Sequence, residues 1–402
     1  MSVDVLILNS AGVDWRGSEF TFVSEMAVDG GLVICGVGDR PDYSEQQMQG
    51  WIDQGRGTAG GPGNCAPLMA RAGIKTAVGV NLGKGDYDGL DAAGRFFRDT
   101  LANSGVDMSA VYVHPYLPTC VAFINSAPGD ERGGIVAFPG ANHDFDFGHF
   151  KAVVKRLDPK IVYYMYSGTS IRGDANNGRD LAEFVNWCRR RGSVTVVDSH
   201  TFAGDPAAVV ASGEPVEPYR LLEPLLGELD VFFTSTDEGK MIENTLSPGR
   251  NWSDYSEHEN HIHLLKFLTE RYWPGDDSTR IVGVTVSNGA YYIQRWPSGY
   301  VGEPAKVTSR FMIEGVVDLV GAGDAFRAGF FAYLARNFNT FRAGQMDIAE
   351  AVQMGNLMAS LLVTGSLHDR YANIRPYESL LKVVRDGVNY TKLAPLRAAL
   401  VA

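Results

Sequence analysis

Short runs of aliphatic and β-branched residues recur along the chain at Val5–Leu8, Thr76–Val80, Ile161–Met165, Val194–Val197, Val231–Thr234 and Ile281–Val286. Each run is strand-sized and bounded by polar or turn-forming residues. Between them, apolar positions return every three or four residues. This spacing predicts helices over Cys65–Ala72, Gly94–Ala102, Asp180–Arg191, His261–Tyr272, Ala325–Ala335 and Ile348–Val363. Continuous apolar strands separated by such helices build a parallel sheet covered on both faces. The pattern therefore predicts an α/β fold, a doubly wound sandwich with a mostly parallel central sheet.

Two regions break the rhythm. Phe20–Thr58 is long and rich in Gly, Asp and Gln, and Ala110–Phe138 holds short alternating strands separated by Pro and Gly. They predict a small antiparallel accessory sheet, a lid formed by about residues 17–58 and 110–138. Leu246–Asn260 is polar and turn-rich and reads as a surface insertion. With 402 residues, 45% of them apolar and 21% charged, the chain has the composition of a globular protein, expected to form a single unit over residues 1–402.

Thirty-six basic against 47 acidic residues leave a net charge of −11, which repels nucleic acid and anionic membrane surfaces. No apolar stretch approaches the roughly 20 residues of a membrane span. Cys35, Cys65, Cys120 and Cys188 lie far apart, unlike a zinc site or a disulfide framework. They read as buried reduced thiols in a soluble cytoplasmic protein, and the first residues lack the basic region of a secretory signal.

The most informative stretch is Asp318-Leu-Val-Gly-Ala-Gly-Asp324-Ala-Phe-Arg-Ala-Gly-Phe330. A glycine-rich turn entering a helix aims successive N–H groups and the positive helix end at one spot, which suits an anion. A carboxylate there repels the same anion, so Asp324 needs a role. As a helix cap it has an ordinary one. In phosphoryl transfer it has a chemical one, accepting the proton of an attacking hydroxyl. A second motif, Ala59-Gly-Gly-Pro-Gly-Asn64-Cys-Ala, reads either as a tight capped loop or as a close approach of backbone and amide to a polyol.

Taken together, the two motifs resemble the signatures of the ribokinase (PfkB) family of sugar and nucleoside kinases. Gly60–Ala66, then six residues to Gly73 and nine more to Gly83, follows the first signature. Asp318–Phe331 follows the second, except that Leu319 stands where Thr, Ser or Val is usual. The order is the family's, and the resemblance runs from about Val5 to Thr364.

The resemblance implies a ribokinase-like αβα sandwich with a β-sheet lid and an ATP-dependent phosphotransferase acting on an alcohol group. It makes Asp324 the catalytic base and the amides of Gly321, Ala322, Gly323 and Asp324 the anion hole. It places Asp14, Gly61, Asn64 and Asn142 on the substrate. On the nucleotide side it implies Asp198, Thr285, Ser287, Gly289, Gly323 and Asn356, although His200 and Phe202 replace the polar residues expected after Asp198. Glu238 lies where the family organises Mg²⁺ through water, with Ser235 in place of Asn, and Asp318 with nearby carbonyls resembles a loop for a monovalent cation such as K⁺. A homodimer through the lid is a further expectation.

A small sugar is the expected acceptor, with a nucleoside as the alternative. Tyr112, Tyr116 and Phe123 could stack on a base or serve as strand core. A non-catalytic binding protein on the same fold is the other reading, against which Asp324 argues. A nicotinamide dehydrogenase is disfavoured because Phe326 occupies the third glycine position of its fingerprint, and His258-Glu-Asn-His261-Ile-His263 lacks the spacing of a zinc helix. Arg327, one turn after Asp324, could reach the substrate or a phosphate or lie on the helix flank; if it reaches the site, a substrate with a negative group is expected.

Overall fold

The computed structural model describes residues 2–28, 30–86, 88–125, 133–273, 275 and 277–401. Its strands are β1 (Val5–Leu8), β2 (Gly12–Arg16), β3 (Leu32–Ile34), β4 (Gly57–Gly60), β5 (Thr76–Gly79), β6 (Asn81–Gly83), β7 (Tyr112–His114), β8 (Cys120–Ile124), β9 (Ile135–Phe138), β10 (Ile161–Tyr164), β11 (Val194–Val197), β12 (Val231–Ser235), β13 (Arg280–Val286), β14 (Gly289–Arg295) and β15 (Ala305–Thr308). The main sheet has the order β15-β14-β13-β12-β11-β10-β1-β5. From β13 to β5 all neighbours are parallel, while β14 and β15 add an antiparallel edge.

β1, β5, β10 and β11 are buried along their whole length, as strands covered on both faces must be. The covering helices lie close to the sequence expectation: Ala66–Arg71, Ala92–Ala102, Arg179–Arg190, Glu257–Tyr272, Ala322–Arg336 and Ile348–Val363. Two hydrophobic clusters, one on each side of the sheet, form the core. Ala322–Arg336 is buried continuously from Asp324 to Ala335. It lies against Ile348–Val363 through glycines: a Cβ on Gly329 would stand 2.3 Å from the Met354 carbonyl oxygen and 2.7 Å from Gly355 Cα. That close packing sets the height of Asp324 above the sheet.

The accessory sheet, ordered β3-β9-β8-β2-β4, corrects the expectation in two ways. It is mixed, since β2 runs parallel to β8 and β3 parallel to β9. Its inner strand β2, between β8 and β4, also precedes the expected lid. After β1 the chain turns through Asn9 and Ser10, both at positive φ (71° and 56°), and enters the second sheet at once. The lid is thus joined to the first core strand by a strained corner rather than by a long loop. β7 belongs elsewhere, paired with β6. Residues 126–132 of the expected lid lie outside the described residues.

Three smaller readings also change. The 246–260 segment is not purely surface: Trp252 is buried and its Nε1 donates to Asn244 Oδ1 at 2.8 Å. Cys35 and Cys120 are half-buried rather than buried, and all four cysteines are free. The three histidines of the 258–263 stretch hydrogen-bond to different side chains, His258 to Tyr291, His261 to Thr236 and His263 to Glu243.

Candidate active site

Parallel strands deliver their C-terminal ends to one edge of the sheet, and in open α/β sheets that edge is where ligands gather. Here β10 ends just before Tyr166, β11 just before Asp198, and β12 in Ser235, two residues before the Asp237–Glu238 pair. The Gly321–Asp324 turn faces the same edge, and the lid strand β2 brings Asp14 and Arg16 over it.

Asp324 is buried, and its Oδ2 accepts two hydrogen bonds, from Asn64 Nδ2 at 3.0 Å and from the Tyr166 hydroxyl at 2.7 Å. Among the described residues its Oδ1 accepts no hydrogen bond, and Arg327 Nη1 lies 3.8 Å from it. That is beyond hydrogen-bond length, so one carboxylate oxygen is fixed and the other remains available as a proton acceptor. Burial pushes the Asp324 carboxyl up to about 6, opposed by Arg327 and by the bonds from Tyr166 and Asn64. Near neutral pH it is mostly ionised yet basic enough to take a proton.

The helix beginning at Ala322 has no side-chain cap. Among the described residues no carbonyl takes the N–H of Gly323 or Asp324, and Gly323 is exposed. These amides remain free for an anion. The expected hole is narrower than the motif implied, because Ala322 N–H donates to the Leu319 carbonyl at 3.1 Å in a tight turn. Gly321 makes the turn with φ 87°, and a Cβ there would stand 2.6–2.9 Å from the Asn64 amide atoms. Only glycine fits between the two motifs.

Beneath the carboxylate lies Arg327, which takes neither the substrate, nor a phosphate, nor an exposed helix flank. It points down into the fold, where Nη2 donates to the Phe233 carbonyl at 2.9 Å and Nη1 pairs with Asp198 Oδ2 at 3.3 Å. Asp198 is likewise turned inward. It is fully buried and accepts from Tyr163 Oη at 2.8 Å and from Tyr166 N at 3.0 Å, so it presents no free oxygen to a nucleotide. Burial pushes Asp198 up to about 7, against the pull of Arg327. His200 and Phe202, ring centroids 4.2 Å apart, fill the space of the expected polar side chains, and burial lowers His200 to about 4.

Above the turn sits a second charged group. Asp318 Oδ2 accepts from Arg16 Nη2 at 2.6 Å and lies 3.5 Å from Arg370 Nη2, while Oδ1 accepts from Val320 N at 2.9 Å. Arg370 also donates to the Val320 carbonyl at 2.6 Å and, through Nη1, to Asn64 Oδ1 at 3.0 Å. Both amide atoms of Asn64 are therefore engaged by protein. Asn142 is committed through one atom, its Nδ2 donating to the Ala11 carbonyl at 3.0 Å while the residue is 2% exposed, and its Oδ1 is buried without a partner among the described residues. The two asparagines shape the site from within.

Asp14 is the expected substrate residue that stays open. It is half-buried, burial raises its carboxyl, and Arg16 and Arg370 oppose that rise without hydrogen-bonding to it. Gly60 leaves room for it, since a Cβ there would stand 2.3 Å from Asp14 Oδ1. Gly61 makes the following turn at φ 52° against the Ser10 carbonyl.

A model of the pfkB family carbohydrate kinases matches residues 41–212 and 287–369. This chain belongs to the pfkB family. No curated protein sequence matches it. Among solved structures, fructokinase from Xylella fastidiosa with bound ATP is 18% identical, covering 96% of this chain and 99% of its own at a TM-score of 0.62. Adenosine kinase from Schistosoma mansoni in complex with 2-fluoroadenosine is 14% identical, over 90% and 95% of the two chains at 0.61. An E. coli protein described as a Ribokinase II in complex with ATP and Mg²⁺ is 19% identical, over 94% and 98% at 0.59. These likenesses establish the ribokinase-like fold.

The residues that the resemblance places on the nucleotide lie on different elements of this pfkB chain. Ser235 and Thr285 are register partners in β12 and β13, Ser287 is exposed in the two-residue hairpin before Gly289, and Asn356 lies buried on Ile348–Val363, bonded to Gln353 at 3.4 Å. Glu238 bonds only neutral groups, Ser235 N at 3.1 Å and the hydroxyls of Thr234 and Thr201 at 3.3 Å. A buried carboxylate with long neutral contacts fits a Mg²⁺ ion held mainly by phosphates and water. Sequence reasoning missed Tyr166, Arg16 and Arg370. Tyr166 alone carried a signal, as the polar residue just past a parallel strand, and the structure places it at φ 58°.

Proposed function

We propose that this protein transfers the γ-phosphoryl group of ATP to a hydroxyl of a small sugar. The observation that carries the reading is the Asp324 carboxylate, with Oδ2 held by Asn64 and Tyr166 and Oδ1 open beside the free amides of Gly323 and Asp324.

In this reading Asp14 accepts hydrogen bonds from the sugar hydroxyls and orients the ring. Asp324 Oδ1 takes the proton of the attacking hydroxyl as its oxygen meets the phosphoryl group in line. The free amides stabilise charge on the transferring group, and the helix N-terminus adds to that field. Mg²⁺, held near Glu238 and Ser235, would supply charge neutralisation on the triphosphate. Thr285, Ser287, Gly289 and Asn356 line the proposed nucleotide side, and the lid excludes water, a competing acceptor.

The lid favours a polyol over a base. Around Asp14 its face of the accessory sheet carries Gly12, Thr58, Gly60, Cys120, Ala122 and Ala137, which are small or polar, with Arg16, Ile124 and Ile135 at the far end. Phe123 points to the opposite face, 1% exposed and packed against Phe20, Phe22 and Tyr43. Tyr112 and Tyr116 are exposed, outside the accessory sheet. None of the three aromatics stands where it could stack on a nucleoside. ADP release from Mg·ATP across pentoses, hexoses, ketoses, sugar acids and nucleosides tests the reading. A nucleoside-only response would reject the sugar assignment.

A further inference from the structure

The loop around Asp318 resembles one that takes a monovalent cation, and the residues present do not fit such an ion. A potassium ion needs several oxygens converging on an open position. Here the two oxygens that would define it, Asp318 Oδ2 and the Val320 carbonyl, already face Arg370 Nη2, at 3.5 Å and 2.6 Å. Arg16 takes Asp318 Oδ2 as well, at 2.6 Å. Asp14 and Asp318 bring two negative charges to this cluster, and Arg16 and Arg370 bring two positive ones. A further cation would meet two guanidinium groups with no carboxylate left to balance it.

We infer that the guanidinium of Arg370 is a built-in cation, standing in for a monovalent ion at the Asp318–Val320 loop and freeing the protein from any dependence on potassium. This rests on the kinase reading of the neighbouring turn and specifies how that turn is charged and held. Arg370 is 3% exposed, so its charge is held in place rather than exchanged with solvent. Its fork bridges two motifs: one nitrogen fixes the carbonyl of Val320, immediately before the glycine turn, and the other fixes Asn64, which in turn bonds Asp324. A guanidinium is permanently charged and presents its donors in a rigid plane, so it can carry both charge and geometry. A bound ion would supply the charge without the link to Asn64.

The test compares KCl, NaCl and choline chloride at equal ionic strength on the full chain. Melting temperature is read first, because it needs neither acceptor nor turnover and remains informative if the kinase reading fails. The wild type is expected to melt within about 1 °C in all three salts, and any ATP-dependent rate to vary by less than about twofold. Arg370→Ala is expected to lose activity and to recover part of it with potassium or guanidinium ion. Arg370 lines a cavity of about 250 Å³ with Gly57, Thr58 and Tyr371, which gives such an ion a route in. A potassium-specific rise in wild-type melting or rate overturns the inference. So does a folded Arg370→Ala protein that is unaffected, or that neither cation restores. If that variant does not fold, the wild-type comparison alone decides.

Discussion

Arg370 reaches Asp324 through one intervening side chain: its Nη1 donates to Asn64 Oδ1 at 3.0 Å, and Asn64 Nδ2 donates to Asp324 Oδ2 at 3.0 Å. The orientation of the amide follows from chemistry, because a guanidinium only donates and an ionised carboxylate only accepts. Asn64 therefore has one satisfactory setting. The base is aimed by a relay whose far end is anchored to the turn that begins its own helix.

Asn64→Asp should disrupt that relay more than Asn64→Ala. The aspartate would place a second carboxylate against Asp324 and push the base further up, whereas alanine only removes a donor. The expected result is a larger loss of rate at pH 6.5 for the aspartate, partly recovered by pH 8. Equal losses at both pH values would contradict this account of Asn64.

Tyr166→Phe removes the shorter of the two bonds to Oδ2 and should raise the Asp324 carboxyl. Since the ionised form is the active one, the rate rises with pH through a limb near 6 in the wild type, and the variant's limb should lie higher. A pH profile of kcat/KM over pH 5–8.5 checks it. An unmoved limb with a uniformly lower rate would mean that Tyr166 acts by shape alone.

Arg327→Met should cost stability, about 3–5 kcal/mol, because it leaves Asp198 buried without its cation. The double variant Arg327→Met, Asp198→Asn should recover much of that loss, as the buried charge goes with its partner. Urea midpoints for the two singles and the double measure the coupling. Additive losses would show that the pair contributes no interaction of its own.

Gly321→Ala should inactivate more than it destabilises. A Cβ at that position would press on the Asn64 amide and would also need φ near 87°. A backbone penalty of about 1–2 kcal/mol is expected in stability. The rate should fall much further, because the displaced amide is the one that aims Asp324. A variant with wild-type rate would separate the turn from the chemistry.

The sandwich and its two glycine motifs were legible because their signals are local. An apolar strand such as Val194–Val197 or a turn such as Gly321–Asp324 is written in consecutive residues. Asp324 and Asn64 were found that way, and the structure brings them together across 260 positions. Arg370, Arg16 and Tyr166 were missed because what matters about them is their partner. Arg370 lies 306 residues from Asn64 and Arg16 lies 302 from Asp318, and neither sits in a periodic or glycine-rich context that would single it out. Asp198 drew notice through the family resemblance and Arg327 through its place one turn after Asp324, but sequence could not tell that each faces the other instead of a ligand. The mixed lid escaped for the same reason: the corner at Asn9–Ser10 that sends β2 into the second sheet leaves no mark in the hydrophobic pattern.

The central claim is that Asp324 is a base rather than a helix cap. The direct test is ADP release from Mg·ATP with the best sugar of the panel, wild type beside Asp324→Asn, with the melting temperature of each. The carboxyl's folded value near 6 lies above the ordinary value near 4, so folding favours the protonated form. Ionising Asp324 costs stability as pH rises through that window, and the neutral amide avoids the cost. The account predicts a rate lower by about 100- to 10,000-fold at pH 7.5, with melting unchanged or higher. A variant that melts earlier but turns over at the wild-type rate would show Asp324 to be a cap and would remove the proposed mechanism.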